Sequence, residues 1–400
     1  MTHPTRPIYL DAHSTTAVDQ RVVDIMVPFF TEYFGNPAST THPYGWEAEV
    51  AVKQARQIMA EGIHASPEEL VFTSGATEAN NLAIKGVAEA YFHQGRHIVT
   101  VQTEHNAVLD PCAYLETLGF EVTYLPVQAD GLINLNVLER SLRTDTILVS
   151  VMAANNEIGV IQPLAEIGQL CRDRGILFHT DAAQAIGKIP LNVQTQSIDL
   201  LSITAHKIYG PKGIGALYVR RRKPRVKLAP QLHGGGHERG LRSGTLYTPQ
   251  IVGMGKALEL AWQTQESEQQ QIQDLRDHLW QGLADIPGIH LNGHPNQRLA
   301  GNLNISVEGV EGQALLLGMR DIAAVSSGAA CSSASMQPSH VLKALGRAEE
   351  LAYASLRFGI GRFNTQDEIF QVTRRCREVI LALQQSQYQD SNLSLSLEQG

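Results

Sequence analysis

The sequence predicts an α/β protein whose larger part is a mostly parallel seven-stranded sheet. Short apolar runs recur at residues 70–73, 97–101, 121–125, 146–152, 176–179, 200–203 and 216–219. Helix-period stretches at 79–94, 106–118, 136–142 and 163–174 separate most of them. Strands alternating with helices need crossover connections, and crossovers make neighbouring strands parallel. The runs are also continuously apolar rather than alternating, which marks strands buried on both faces.

In chain order, Ile8-Tyr-Leu reads as a short strand stopping at Asp11. Apolar residues at helical spacing predict helices over 21–34 and 45–63. Past the seven strands, 251–286 is one long helical stretch with a Gln-rich, solvated face at 263–273. Residues 289–291, 303–307 and 356–360 read as strands of a smaller sheet, with helices at 311–320, 339–346 and 365–387. The chain therefore divides into a large α/β domain, 16–260, and a smaller α+β domain made of 1–15 and 261–400. The Ser/Leu/Gln-rich tail, 390–400, is expected to fray.

Composition excludes several function classes. A formal net charge of −8 argues against nucleic-acid or membrane-surface affinity, so no direct DNA binding is expected. The basic run Arg220-Arg-Arg-Lys-Pro-Arg-Val-Lys227 reads as a solvated turn after a strand. No apolar run approaches the ~18 residues of a membrane span. The first seven residues lack the apolar core of a signal peptide, which points to the cytoplasm. Cys112, Cys171, Cys331 and Cys376 are far apart and form no C-x-x-C pair, so neither a zinc site nor a disulfide framework is expected. Three of them sit in helical contexts as inert packing residues; Cys331 does not.

Parallel strands end along one edge of a sheet, and ligands bind there. Thr77, His105, Asn156, Asp181, Gln184, His206 and Lys207 all fall at such ends and should meet in one crevice. Lys207 follows the strand 200–203 and precedes the turn Gly210-Pro-Lys-Gly-Ile-Gly215. Burial lowers a lysine's pKa, and a neutral amine can condense with an aldehyde cofactor. Ser74-Gly-Ala-Thr77 opens a helix, where backbone amides can hold a phosphate. A carboxylate at Asp181 needs a partner, and a pyridinium nitrogen is one. Cys331 is flanked by small residues throughout 326–335, a segment expected to pack poorly and to leave its thiol exposed.

Tyr9-Leu-Asp11, Phe72-Thr-Ser-Gly-Ala-Thr-Glu78, Thr103-Glu-His105, Asn155-Asn-Glu-Ile-Gly159, His206-Lys-Ile-Tyr-Gly-Pro-Lys-Gly-Ile-Gly215, His233-Gly-Gly-Gly-His-Glu-Arg-Gly240 and Ser326-Ser-Gly-Ala-Ala-Cys-Ser-Ser333 together resemble the cysteine desulfurases. The chain is closest to their housekeeping, iron–sulfur-cluster type, within the fold-type-I pyridoxal-phosphate transferases of aminotransferase class V. The resemblance runs from about Ile8 to Phe363. It implies pyridoxal 5'-phosphate held covalently by Lys207, with its phosphate on Ala76, Thr77, Thr204 and His206. It further implies Asp181 on the ring nitrogen, Gln184 on the phenolic oxygen and His105 stacked on the ring.

Asn156 and Arg357 would bind the carboxylate of L-cysteine, and Thr245 would reach the cofactor of a second subunit in a homodimer. Lys207, Cys331 and His105 would be catalytic. Cysteine would become alanine, leaving a persulfide on Cys331 for an iron–sulfur scaffold or another sulfur acceptor, tRNA thiolation included. No metal site is implied beyond transient cluster ligation by Cys331. The alternatives within the same fold are a selenocysteine lyase or an aminotransferase.

Two places depart from the housekeeping pattern. Ala12-His13 follow the first Asp, and Ala153 stands where that type usually has histidine. The end of the chain does not resemble that type's acceptor-docking tail.

Overall fold

The computed structural model describes residues 6–327, 329–332 and 335–398, with side chains throughout except at 329–332, 335–337 and 387–398. The strands are β1 (Ile8–Tyr9), β2 (Leu70–Thr73), β3 (His97–Val101), β4 (Glu121–Leu125), β5 (Thr146–Ser150), β6 (Leu177–Asp181), β7 (Leu200–Thr204), β8 (Gly215–Val219), β9 (Ile289–Leu291), β10 (Asn302–Val307), β11 (Ala323–Ala324), β12 (Ser326–Ser327), β13 (Ala329–Ser332), β14 (Ser335–Pro338) and β15 (Ser355–Gly359). The helices are α1 (Gln20–Met26), α2 (Pro28–Thr31), α3 (Pro43–Gly62), α4 (Ala76–Ala90), α5 (Asn106–Glu116), α6 (Leu135–Ser141), α7 (Leu164–Asp173), α8 (Thr248–Gln281), α9 (Gly312–Met319), α10 (His340–Ala344), α11 (Glu349–Tyr353) and α12 (Gln366–Glu398).

The central sheet has seven strands in the order β2-β8-β7-β6-β5-β3-β4. Only β8 is reversed: it pairs antiparallel with β2 and β7, while the other neighbours are parallel. Side chains on adjacent positions of one strand enter different cores. Ile98, Leu148, Leu177 and Leu200 pack in a cluster with α4 and α5 on one face. Val99, Val149, Phe178 and Leu201 pack on the other, with residues of α3, α7 and the start of α8. That double burial is the physical reason the strands read as unbroken apolar runs.

A second sheet, β12-β15-β10-β9, is antiparallel throughout. Its core joins Leu303, Ile305, Leu356 and Phe358 to Ile369, Val372 and Cys376 of α12 and to Leu10. Helix α8 spans both cores: Ile251, Met254, Ala257, Leu258 and Leu260 feed the first, and Ile272, Leu275 and Leu279 the second. The Gln-rich segment is the bridge between them. No helix among the described residues is long and apolar enough to cross a membrane.

Four sequence expectations need correction. The single helix over 21–34 is interrupted at Val27, because Pro28 cannot donate to the preceding turn and instead opens α2. The segment around Cys331 carries sheet structure that its small residues do not suggest: β13 pairs antiparallel with β14, with Cys331 opposite Met336. The tail does not fray from 390, since α12 continues to Glu398; residues 399–400 lie outside the described part. The basic run splits: Arg220 is buried and bonded to the carbonyls of Val193 and Ile198, whereas 221–225 are exposed.

Candidate active site

A cleft of about 700 Å³ opens at the C-terminal ends of the parallel strands. It is lined by Ala76, Thr77, His105, Asn156, Asp181, Gln184, Thr204, His206, Lys207 and Arg357. Every residue expected at a strand end is in this one place.

One wall is the start of α4. The first turn of a helix leaves its amides without intrahelical acceptors, and their dipoles sum to partial positive charge. Gly75, at φ +154°, carries the chain from β2 into that turn. Gly215 lies against it: a Cβ there would meet Ile203 O at 2.4 Å and Gly75 Cα at 2.7 Å. Thr204 Oγ1 donates to Ile214 O at 3.3 Å, closing the β7–β8 turn. His206 Nδ1 lies 3.1 Å from Thr15 Oγ1; burial, then the nearby Lys207 charge, lowers its pKa to about 4. A neutral imidazole and open amides suit an anion's oxygens.

Lys207 sits half-buried, its Nζ donating to the backbone oxygens of His13 and, at 2.7 Å, Ser14. Burial, then Arg357, lowers its pKa to about 8 against the opposing pull of Asp11 and Asp181. Asp181 ends β6 buried. Its Oδ2 accepts from Asn80 Nδ2 at 2.7 Å and its Oδ1 from Ala183 N at 2.8 Å. Those partners are neutral, so the carboxylate's charge is free to pair with a cation in the cleft. His105 caps α5: its Nδ1 accepts from Ala107 N at 3.0 Å, which puts the proton on Nε2.

Asn156 is held by the turn after β5. Asn155 builds that turn, donating to Thr103 O and accepting from Glu157 N and Ile158 N. Arg357 Nη1 donates to Asn156 O at 2.9 Å, and Nη2 reaches Asp11 Oδ1, Ser14 Oγ and Ser326 Oγ at 2.7–2.9 Å. Its Nε is buried without a partner among the described residues.

These groups fit pyridoxal phosphate. Open amides at a 15-residue helix suit its phosphate, a buried carboxylate suits its ring nitrogen, and an amine near neutrality suits its aldehyde. Thr245 is exposed and does not line this cleft. Cys331 has its backbone in β13, and its side chain lies outside the described part.

Sequence reasoning missed four contributors. His13 is buried and lines the cleft. Asn80 holds Asp181. Lys188 reaches Gln184 at 3.2 Å. Glu104 is buried beneath His105, with Oε1 accepting from Met152 N at 2.5 Å; burial holds its carboxyl well above the usual range. Only His13 gave a signal, as an imidazole in an otherwise small-residue run after the first Asp.

Residues 8–372 match the aminotransferase class-V family. The cysteine desulfurase IscS of Methylobacillus flagellatus is 57% identical over 364 residues, 91% of this chain and 89% of that protein. A solved NifS-like protein superposes with a TM-score of 0.87 at 38% identity, covering 94% of this chain and all of that one. A structure described as SspA in complex with cysteine superposes with a TM-score of 0.80 at 38% identity, covering 90% of this chain and all of that one.

Proposed function

The chain belongs to the cysteine desulfurases of aminotransferase class V, which depend on pyridoxal phosphate, and from that premise we propose how its own residues act. The substrate is L-cysteine and the products are L-alanine and an enzyme-bound sulfur. Bound pyridoxal phosphate supplies an electron sink for charge left at the substrate's α-carbon. Lys207 would hold the group, and its Nζ would take the substrate's α-proton; an amine with a pKa of about 8 suits both tasks. Arg357, with Asn156, orients the substrate carboxylate, as a planar guanidinium does best. His105 stacks on the ring and presents Nε2–H to the reacting side.

Cys331 attacks the substrate sulfur. The C–S bond breaks, the Cys331 S–S bond forms, and the carbon skeleton takes up protons and leaves as alanine. The persulfide passes to an iron–sulfur scaffold or another sulfur-acceptor protein, with tRNA thiolation a further destination.

The same reading takes the cytoplasm as the location, 16–260 as the large domain, and 1–15 with 261–400 as the small one. The two hydrophobic cores support that division. It also takes a homodimer, with Thr245 reaching the partner's cofactor. An exposed aromatic surface supports this: Phe30 packs on Tyr247 and Phe34 on Tyr44, all at least half exposed and close in sequence to Thr245 or to α3.

The observation that carries the reading is the half-buried, depressed amine of Lys207 facing a carboxylate and an open helix N-terminus in one cleft. The test is to give the purified protein L-cysteine and a thiol reductant, then measure alanine and sulfide. Cys331→Ala is expected to keep the yellow cofactor and lose sulfide release. A Cys331→Ala protein with full sulfide release removes the persulfide step.

A further inference from the structure

A second lysine stands behind the first. Lys188 follows β6, half-buried, with its amine turned on Gln184 Oε1 at 3.2 Å. Gln184 has two more contacts, both to His13: Nε2 donates to His13 O at 2.8 Å, and Oε1 faces His13 Nδ1 at 3.1 Å. A carbonyl only accepts, so it fixes Nε2 on its side. The Lys188 amine donates to Oε1 whether or not it is charged, so it holds that oxygen on the other. His13 Nδ1 must then carry the proton, which leaves Nε2 a bare acceptor. That Nε2 is buried without a partner among the described residues. His13 and Lys188 also line a cavity of about 30 Å³, room for one water, which Lys207 and Glu268 share.

We infer that Lys188 is a positioning residue: by holding Gln184 Oε1 it makes the amide present a donor, not an acceptor, to the cofactor's ring oxygen. One hydrogen of Gln184 Nε2 is taken by His13 O, and the other is left for the cleft that Gln184 lines. The same His13 carbonyl receives Lys207 Nζ, so the arrangement steadies both groups. The charged and titratable groups facing Lys188 are His13 after β1, His206 and Lys207 after β7, Glu268 of α8 and Arg357 of β15. Burial, then Lys207, lowers the Lys188 pKa to about 7.

This inference rests on the cofactor reading above, and the test separates the two. Holoprotein is prepared as wild type, Lys188→Met and Lys188→Arg. The readouts are the pH titration of the visible band, the rate of cofactor release and the melting temperature. Lys188→Met removes the donor and, below pH 7, a positive charge, and each loss disfavours an ionised ring oxygen. Its titration midpoint is expected to move up by about one pH unit. Its cofactor release should be roughly tenfold faster, the scale of one lost buried hydrogen bond. Lys188→Arg, which keeps a donor, is expected to hold the wild-type midpoint.

A Lys188→Met protein with wild-type midpoint and retention overturns the inference. So does an equal shift in both variants accompanied by a lowered melting temperature, which is the mark of a structural role. A wild-type chain without a visible band overturns the cofactor reading instead.

Discussion

In the proposed reading, Arg357 is a side chain prepared for a ligand before the ligand arrives. Its guanidinium is buried, and one nitrogen is shared among Asp11, Ser14 and Ser326. Its Nε has no partner among the described residues, although a buried polar atom without one costs about 1–3 kcal/mol. A substrate carboxylate would satisfy that atom. Arg357→Lys keeps the charge and removes the planar fork. It is expected to raise KM for cysteine roughly tenfold to a hundredfold, the scale of a hydrogen bond to a charged group. The visible band should stay where it is. A variant with unchanged KM would mean the carboxylate is held elsewhere.

At the scale of elements, the site depends on one crowded junction. Gly215 begins β8 opposite Thr73 of β2 and Thr204 of β7, with Gly75 pressed against it. The contacts a side chain would make are to backbone, which cannot swing aside. Gly215→Ala is therefore expected to cost about 1–3 kcal/mol in stability, as overpacking does. It should also weaken cofactor affinity, because the strain falls on the turn that aims the α4 amides. Denaturant midpoint and cofactor Kd check the two effects, and a substitution silent in both would mean the junction relaxes freely.

This junction also shows what was legible. The Gly-x-Gly turn, the strand before it and the lysine between them could be read from the sequence, because turn chemistry and apolar periodicity are local signals. So could the strand-end residues, since parallel topology carries all of them to one edge. Asn80 and Lys188 could not. Asn80 acts from the first turns of α4 and Lys188 from the turn after β6, and only the packing reveals which atom each one holds. The pairing of Ile8–Tyr9 with Ala323–Ala324 was equally hidden, since it joins residues more than three hundred positions apart through strands two residues long.

For the whole molecule, the same burial that prepares the site makes stability depend on pH. Lys207 and Lys188 have pKa values lowered from 10.5 to about 8 and about 7 in the fold. Between those values and 10.5 the unfolded chain binds more protons, so stability rises with pH across that window. Each lysine contributes up to about 1.4 kcal/mol per pH unit once its native form is neutral. Glu104 acts oppositely, because burial raises its carboxyl and the native form holds its proton to a higher pH than the unfolded chain does. The thiols of Cys112 and Cys376, pushed up to about 12 by burial, also oppose, but only above their unfolded value of 9.0. Buried His179, lowered to about 3, acts only below 6.5.

From pH 7 to 9 the two amines are therefore set against the raised carboxyls of Glu104 and Asp199. The cofactor-free protein is expected to gain roughly 1–3 kcal/mol over that interval. Urea unfolding at several pH values measures it, and Lys188→Met should flatten the rise. A stability that falls across the same interval would mean that both amines are charged in the native fold, and that Lys207 is not poised to take a proton near neutrality.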